Sequence, residues 1–117
     1  MGVEKFDTDE LYETLDWLDK NQSVFEKKLF KKRRKLMSAD QPMFLYDITS
    51  SYLEGEKNEL ARFGYNRDGK RGKRQIVLGL LTDDQGYPIS VEVFEGNTSD
   101  STTIPGQVSK LAKEFNV

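Results

Sequence analysis

The sequence contains no cysteine and no histidine. Without cysteine there is no disulfide and no thiolate nucleophile. Without histidine, His-based catalytic triads and zinc sites built from His or Cys are excluded. The metal ligands that remain are carboxylates, carbonyls and hydroxyls, which suit hard cations such as Mg²⁺, Mn²⁺ or Ca²⁺. Long apolar runs are also missing. Nothing in the sequence approaches the ~20 residues that span a bilayer, and the first residues lack the apolar core of a signal peptide. The Met-Gly start carries Phe6 where an acylation motif needs Ser or Thr. The expectation is a cytoplasmic chain with no membrane partner.

What is present is charge, and it is segregated. The net charge of −2 comes from 18 bases and 20 acids in 117 residues, enough chain for one domain with a modest core. Residues 1–20 are acidic, with Glu4, Asp7, Asp9, Glu10, Glu13, Asp16 and Asp19 against Lys5 and Lys20. Residues 27–35 carry Lys27, Lys28, Lys31, Lys32, Arg33, Arg34 and Lys35. A second basic stretch holds Lys57, Arg62, Arg67, Lys70, Arg71, Lys73 and Arg74. Local basic patches bind polyanions whatever the overall charge, although a charge run is also what a solvated face looks like.

Asp7-Thr8 before an acidic first turn reads as a helix start. Leu11, Leu15 and Leu18 recur at helical spacing, and Val24, Phe25, Leu29 and Phe30 form a second stripe after a plausible break at Asn21-Gln22-Ser23. Two helices, or one long kinked helix, are expected over 8–36. Residues 43–52 read as a first strand with Phe44, Tyr46 and Ile48 on one face and Leu45, Asp47 and Thr49 on the other, apolar enough on both to be interior. A long polar connection with several glycines follows. Residues 75–82 read as a second strand buried on both sides. Asp83-Asp84-Gln85-Gly86 is a tight turn. Residues 87–95 read as a third strand, with Ile89, Val91 and Val93 facing in and Ser90 and Glu92 facing out. Ile104, Val108, Leu111, Ala112 and Phe115 mark the apolar stripe of a final helix. The predicted fold class is α+β: N-terminal helices, a three-stranded antiparallel meander and a C-terminal helix. That order is the first half of a ribonuclease-H-like fold.

Asp47 is the anomaly in this pattern, a carboxylate in the middle of an apolar strand. Burying an ionised carboxylate is costly unless it is paired or holds a metal. Two-metal cleavage of phosphodiesters needs several carboxylates on rigid elements converging on hard cations, and an acid on a strand meets one such need. A structural Asp hydrogen-bonded to Thr49 or Ser50 accounts for the same position. Glu54 and Glu56 lie past the strand end and read as solvated.

Three segments together resemble prokaryotic insertion-sequence transposases of the DDE type. They are Leu-Tyr-Asp-Ile-Thr-Ser-Ser-Tyr-Leu-Glu-Gly at 45–55, Ala-Arg-Phe-Gly-Tyr-Asn-Arg-Asp-Gly-Lys-Arg-Gly-Lys-Arg-Gln-Ile-Val-Leu-Gly-Leu-Leu at 61–81, and Val-Glu-Val-Phe-Glu-Gly-Asn-Thr-Ser-Asp at 91–100. The resemblance implies a ribonuclease-H-like catalytic domain that cuts and joins DNA ends with Mg²⁺ or Mn²⁺. Asp47 matches the first catalytic, metal-binding Asp. The second Asp and the Glu of such proteins lie further along than Val117, and their usual DNA-end-binding region precedes the matched part. The chain, 1–117, therefore resembles a single-domain fragment, with 8–36 helical and 43–117 the first half of the catalytic domain. Gly64, Tyr65, Arg67, Asp68, Gly69, Lys70 and Gly72 match the basic loop, and with Arg71, Lys73 and Arg74 that stretch supplies the expected DNA contacts. Phe63 and Tyr65 either stack on an exposed base or pin the loop to the core. Asn97, Thr98 and Asp100 match the motif after the third strand, where capping the last helix competes with a role for Asp100 as a substitute metal ligand.

The expected partner is DNA, and the chain alone is expected to be inactive. A non-catalytic nucleic-acid-binding or protein-interaction module, and a small scaffold whose basic faces only aid solubility, are the other readings. If the first strand lacks a neighbour on its far side, an exposed edge invites a homodimer, unless the N-terminal helices fold over it.

Overall fold

The computed structural model describes residues 5, 7–37, 42–64 and 73–117. Its elements in chain order are α1 (Thr8–Arg34), β1 (Phe44–Leu53), β2 (Arg62–Phe63), β3 (Arg74–Asp83), β4 (Pro88–Glu95) and α2 (Asp100–Glu114). The class is α+β, with two helices on a four-stranded antiparallel sheet.

The N-terminal segment is one helix. Asp7 caps it by accepting the Glu10 backbone N–H at 2.8 Å, and the acidic first turn and basic last turn complement the helix dipole. The expected break at Asn21-Gln22-Ser23 does not occur. Asn21 Nδ2 donates to the Trp17 carbonyl one turn back, and Gln22 Nε2 reaches the Val91 carbonyl at 2.6 Å, so both polar side chains are satisfied within a continuous helix.

β3 lies between its partners. β1 pairs along one side over its whole length, and β4 and the two-residue β2 follow one another along the other. β2 is a strand the sequence did not predict. It is held where the chain leaves β4: Gln75 Nε2 donates to the Gly96 carbonyl at 2.8 Å and Gly96 N donates to the Leu60 carbonyl at 2.9 Å. Gly86 takes φ +83 in the β3–β4 turn, as the turn sequence requires.

Both helices cover the same face of the sheet. That face carries Phe44, Tyr46 and Ile48 of β1, Val77, Gly79 and Leu81 of β3, and Ser90 and Glu92 of β4. Phe30 of α1, Leu81, Ile89 and Phe115 form the core, with Met37, Phe44, Tyr46 and Leu111 packed around it. Each fully buried Phe or Leu contributes about 1.5–3 kcal/mol. Gly79 makes room for the Tyr46 ring, whose hydroxyl donates to Thr103 Oγ1 at 3.1 Å.

Three strand-face expectations are corrected. β1 is not interior: it forms one edge of the sheet among the described residues, and Leu45, Asp47 and Thr49 are exposed. β3 is covered on one face rather than two. In β4 Ile89 faces the core as expected, but past the register irregularity opposite Leu81 and Thr82 the sets are exchanged, for Ser90 is buried against the helices while Val91 and Val93 face away. The reason is a polar network between the layers. Lys110 of α2 donates to Glu26 Oε1 at 3.1 Å and to the Ser90 hydroxyl, and Ser90 Oγ donates to Glu26 Oε1 at 3.0 Å. Gln107 Nε2 donates to Glu92 Oε2 at 2.7 Å. This network also turns α2, so that Thr103 and Gln107 are buried while Ile104 and Val108 of the expected apolar stripe are exposed. No helix among the described residues is long and apolar enough to cross a membrane.

Candidate functional site

Asp47 projects from the middle of β1 on the face the helices leave open. The register sets it opposite Leu80, which is in turn opposite Val91, so one carboxylate stands at the end of an apolar row. Its exposure removes the premise of a buried charge. Its carboxylate accepts a local hydrogen bond, Ile48 N–H to Asp47 Oδ1 at 2.9 Å. A strand paired along its length holds the Cα, and the rest of the carboxylate is available to solvent or a ligand.

The second candidate group divides. Tyr65, Arg67, Lys70 and Arg71 lie outside the described residues, as do Asp68, Gly69 and Gly72 of the same loop. Lys73 is exposed at the loop's return to the sheet. Arg74 begins β3, donates to the Glu56 carbonyl at 3.3 Å and sits over the Phe63 ring at 5.7 Å. Phe63 thus stacks beneath a guanidinium on the surface and does not pin the loop to the core. Gly64 packs against the sheet: a Cβ there would collide with the Gly96 carbonyl and the Gln75 amide.

Asn97 and Thr98 do not cap α2. Ser99 is its N-cap residue and Asp100 opens its first turn. No group of three or more carboxylates that could hold a metal occurs among the described residues.

Arg33 is a residue whose role its sequence context hid. It lies within the 27–35 basic run, yet its Nε donates to Asp83 Oδ2 at 2.7 Å, its Nη2 donates to Gln85 Oε1 at 2.7 Å, and its guanidinium lies 3.6 Å from the centre of the Tyr87 ring. Asp83 is fully buried and also accepts the backbone N–H groups of Gln85 and Tyr87. Burial pushes its carboxyl up, but the Arg33 hydrogen bond, the two backbone N–H groups and the Arg33 charge outweigh that and hold it below its ordinary 3.8. The signal available in the sequence was spacing: Arg33 follows Glu26 and Phe30 at seven and three residues, on the inward arc of the helix.

Comparison with protein-family models, with curated proteins and with solved structures found no match.

Proposed function

We propose that this chain is the first half of a ribonuclease-H-like catalytic domain from a DNA transposase of the DDE type. In the whole protein Asp47 supplies the first catalytic carboxylate, and Tyr65, Arg67, Lys70, Arg71, Lys73 and Arg74 contact DNA. The observation that carries this reading is Asp47 itself: an accessible carboxylate on a strand paired along one side over its whole length, accepting its neighbour's N–H. The antiparallel β1–β3–β4 order followed by a helix supports the fold assignment.

Transposition of this type uses Mg²⁺ or Mn²⁺ held by several carboxylates. Among the described residues no group of three or more carboxylates is placed to hold such an ion, and a single carboxylate leaves it bound mainly to water. No catalytic step is therefore assigned to this chain on its own. In the complete reading frame, Asp47→Asn should abolish excision of the element while leaving protein levels intact; undiminished excision overturns the proposal. Purified 117-residue protein should not nick plasmid DNA in Mg²⁺, and nicking that Asp47→Asn removes would equally refute it.

The lack of such a carboxylate group among the described residues favours a second reading for the chain by itself, a nucleic-acid-binding module without chemistry. The outer edge of β1 also offers a pairing site for a second copy.

A further inference from the structure

α1 carries seven bases between residues 27 and 35 or at its C-cap, and the fold sorts them. Glu26, Phe30 and Arg33 form the arc that faces the sheet: Glu26 meets Lys110 and Ser90, Phe30 lies in the core, and Arg33 holds Asp83. At about 100° per residue, Lys27, Lys28, Lys31, Lys32 and Lys35 then fall on an arc of roughly 140° centred opposite that face. All five are exposed. None has an ion-pair partner among the described residues, and no acid lies between positions 27 and 35.

The helix dipole accounts for cations in the last turn, where Lys31 and Lys32 sit. It does not account for Lys27 and Lys28, which come before that turn. The arc also lacks the features of other polyanion sites. It has no aromatic side chain on which an unpaired base would stack. Between positions 27 and 35 no apolar side chain falls within the arc itself; the exposed leucines of α1, among them Leu18 and Leu29, lie on a neighbouring strip of the helix. Point charges alone, on a rigid and pinned helix, suit the phosphates of a duplex.

We infer that the outward lysine arc of α1 binds the backbone of double-stranded DNA as a second contact, separate from the 65–74 loop. This rests on the reading of the chain as a DNA-processing domain. The footprint is limited to the second half of the helix. Upstream, Asp9, Glu10, Glu13, Asp16 and Asp19 are exposed and repel phosphates, so the duplex crosses the helix and does not run along it. From Lys27 to Lys35 the helix rises about 12 Å, a footprint on which the five lysines can neutralise roughly three to four phosphates.

The test is binding of a short mixed-sequence duplex across a range of salt concentrations. Replacing the five lysines by Gln preserves helix propensity and, with Arg33 kept, the core. The slope of log K against log[salt] should fall in magnitude by about 3, and affinity near 50 mM salt should fall about a hundredfold or more. The five-fold Lys→Arg chain should restore both. A Gln variant that binds like the wild type overturns the inference. If Arg67→Gln, Lys70→Gln and Arg71→Gln together abolish binding in the same assay, the DNA reading of the domain survives that failure. A wild-type chain that ignores duplex but binds phosphatidylserine vesicles through these lysines also overturns it, in favour of a membrane surface.

Discussion

Asp47 attracts attention because its neighbours are apolar, yet its side chain is exposed and accepts the Ile48 N–H. Asp83 reads as a turn residue, yet it is fully buried and holds α1 to the sheet through Arg33, fifty positions away. Replacing Arg33 by Met leaves a buried carboxylate without its cation, and the expected loss is about 3 kcal/mol in urea unfolding. Asp47→Asn should change stability by less than about 0.5 kcal/mol, as for a surface site. The acid dependence follows from Asp83. Its carboxyl lies below 3.8 in the folded chain, so the unfolded chain takes up the proton first as pH falls. The stability from this group is fully present above 3.8 and is lost as pH drops through the folded value. An Arg33→Met chain should lose less stability between about pH 5 and pH 3 than the wild type. Equal losses would show that Asp83 is not the group responsible.

At the scale of elements, the junction of β2, β3 and the end of β4 depends on close backbone approach. A Cβ at Gly96 would fall on the Gln75 carbonyl and lie 2.7 Å from the Arg62 carbonyl, both fixed in the ladder. Gly96→Ala should therefore detach β2 and cost on the order of 2–3 kcal/mol. Gly86→Ala tests the contrast. Its Cβ would meet open space, so only the strain of φ +83 applies, about 1 kcal/mol. If thermal unfolding ranks the two variants the other way, the junction is looser than its geometry implies. Gly64 belongs to the same packing, which gives that residue of the loop motif a structural reason independent of DNA.

The whole molecule is covered on one side only. On the open face Leu45, Leu80, Val91 and Val93 are 51%, 40%, 45% and 44% exposed, and α1 adds exposed Leu11, Leu15, Leu18 and Leu29. Apolar surface of this extent is characteristic of an interaction site. α1 does not shield the outer edge of β1, because it packs against β4 on the opposite side of the sheet. Self-association through the β1 edge and the adjoining face is the expected behaviour of the isolated chain. Light scattering should give a mass above that of the 13.5 kDa monomer, reduced toward it by Leu80→Lys with Val91→Lys. A monomer at high concentration, with freely exchanging β1 amides, contradicts this.

The sequence by itself determined the element types, the Asp7 cap, the left-handed turn glycine at Gly86 and three of the four strands to within a residue or two. Those features depend on local periodicity, capping and backbone sterics, which a single chain segment carries within itself. Which face of each strand meets the helices was decided only in the tertiary structure. Alternation in β4 identifies two sets, but Ser90 became the inward one because Glu26 and Lys110, 64 and 20 positions away, supply its partners. The basic run 27–35 likewise appeared uniform until packing assigned Arg33 to the interior and five lysines to the surface. Pairing across such distances depends on where whole elements come to rest, and no local pattern encodes that.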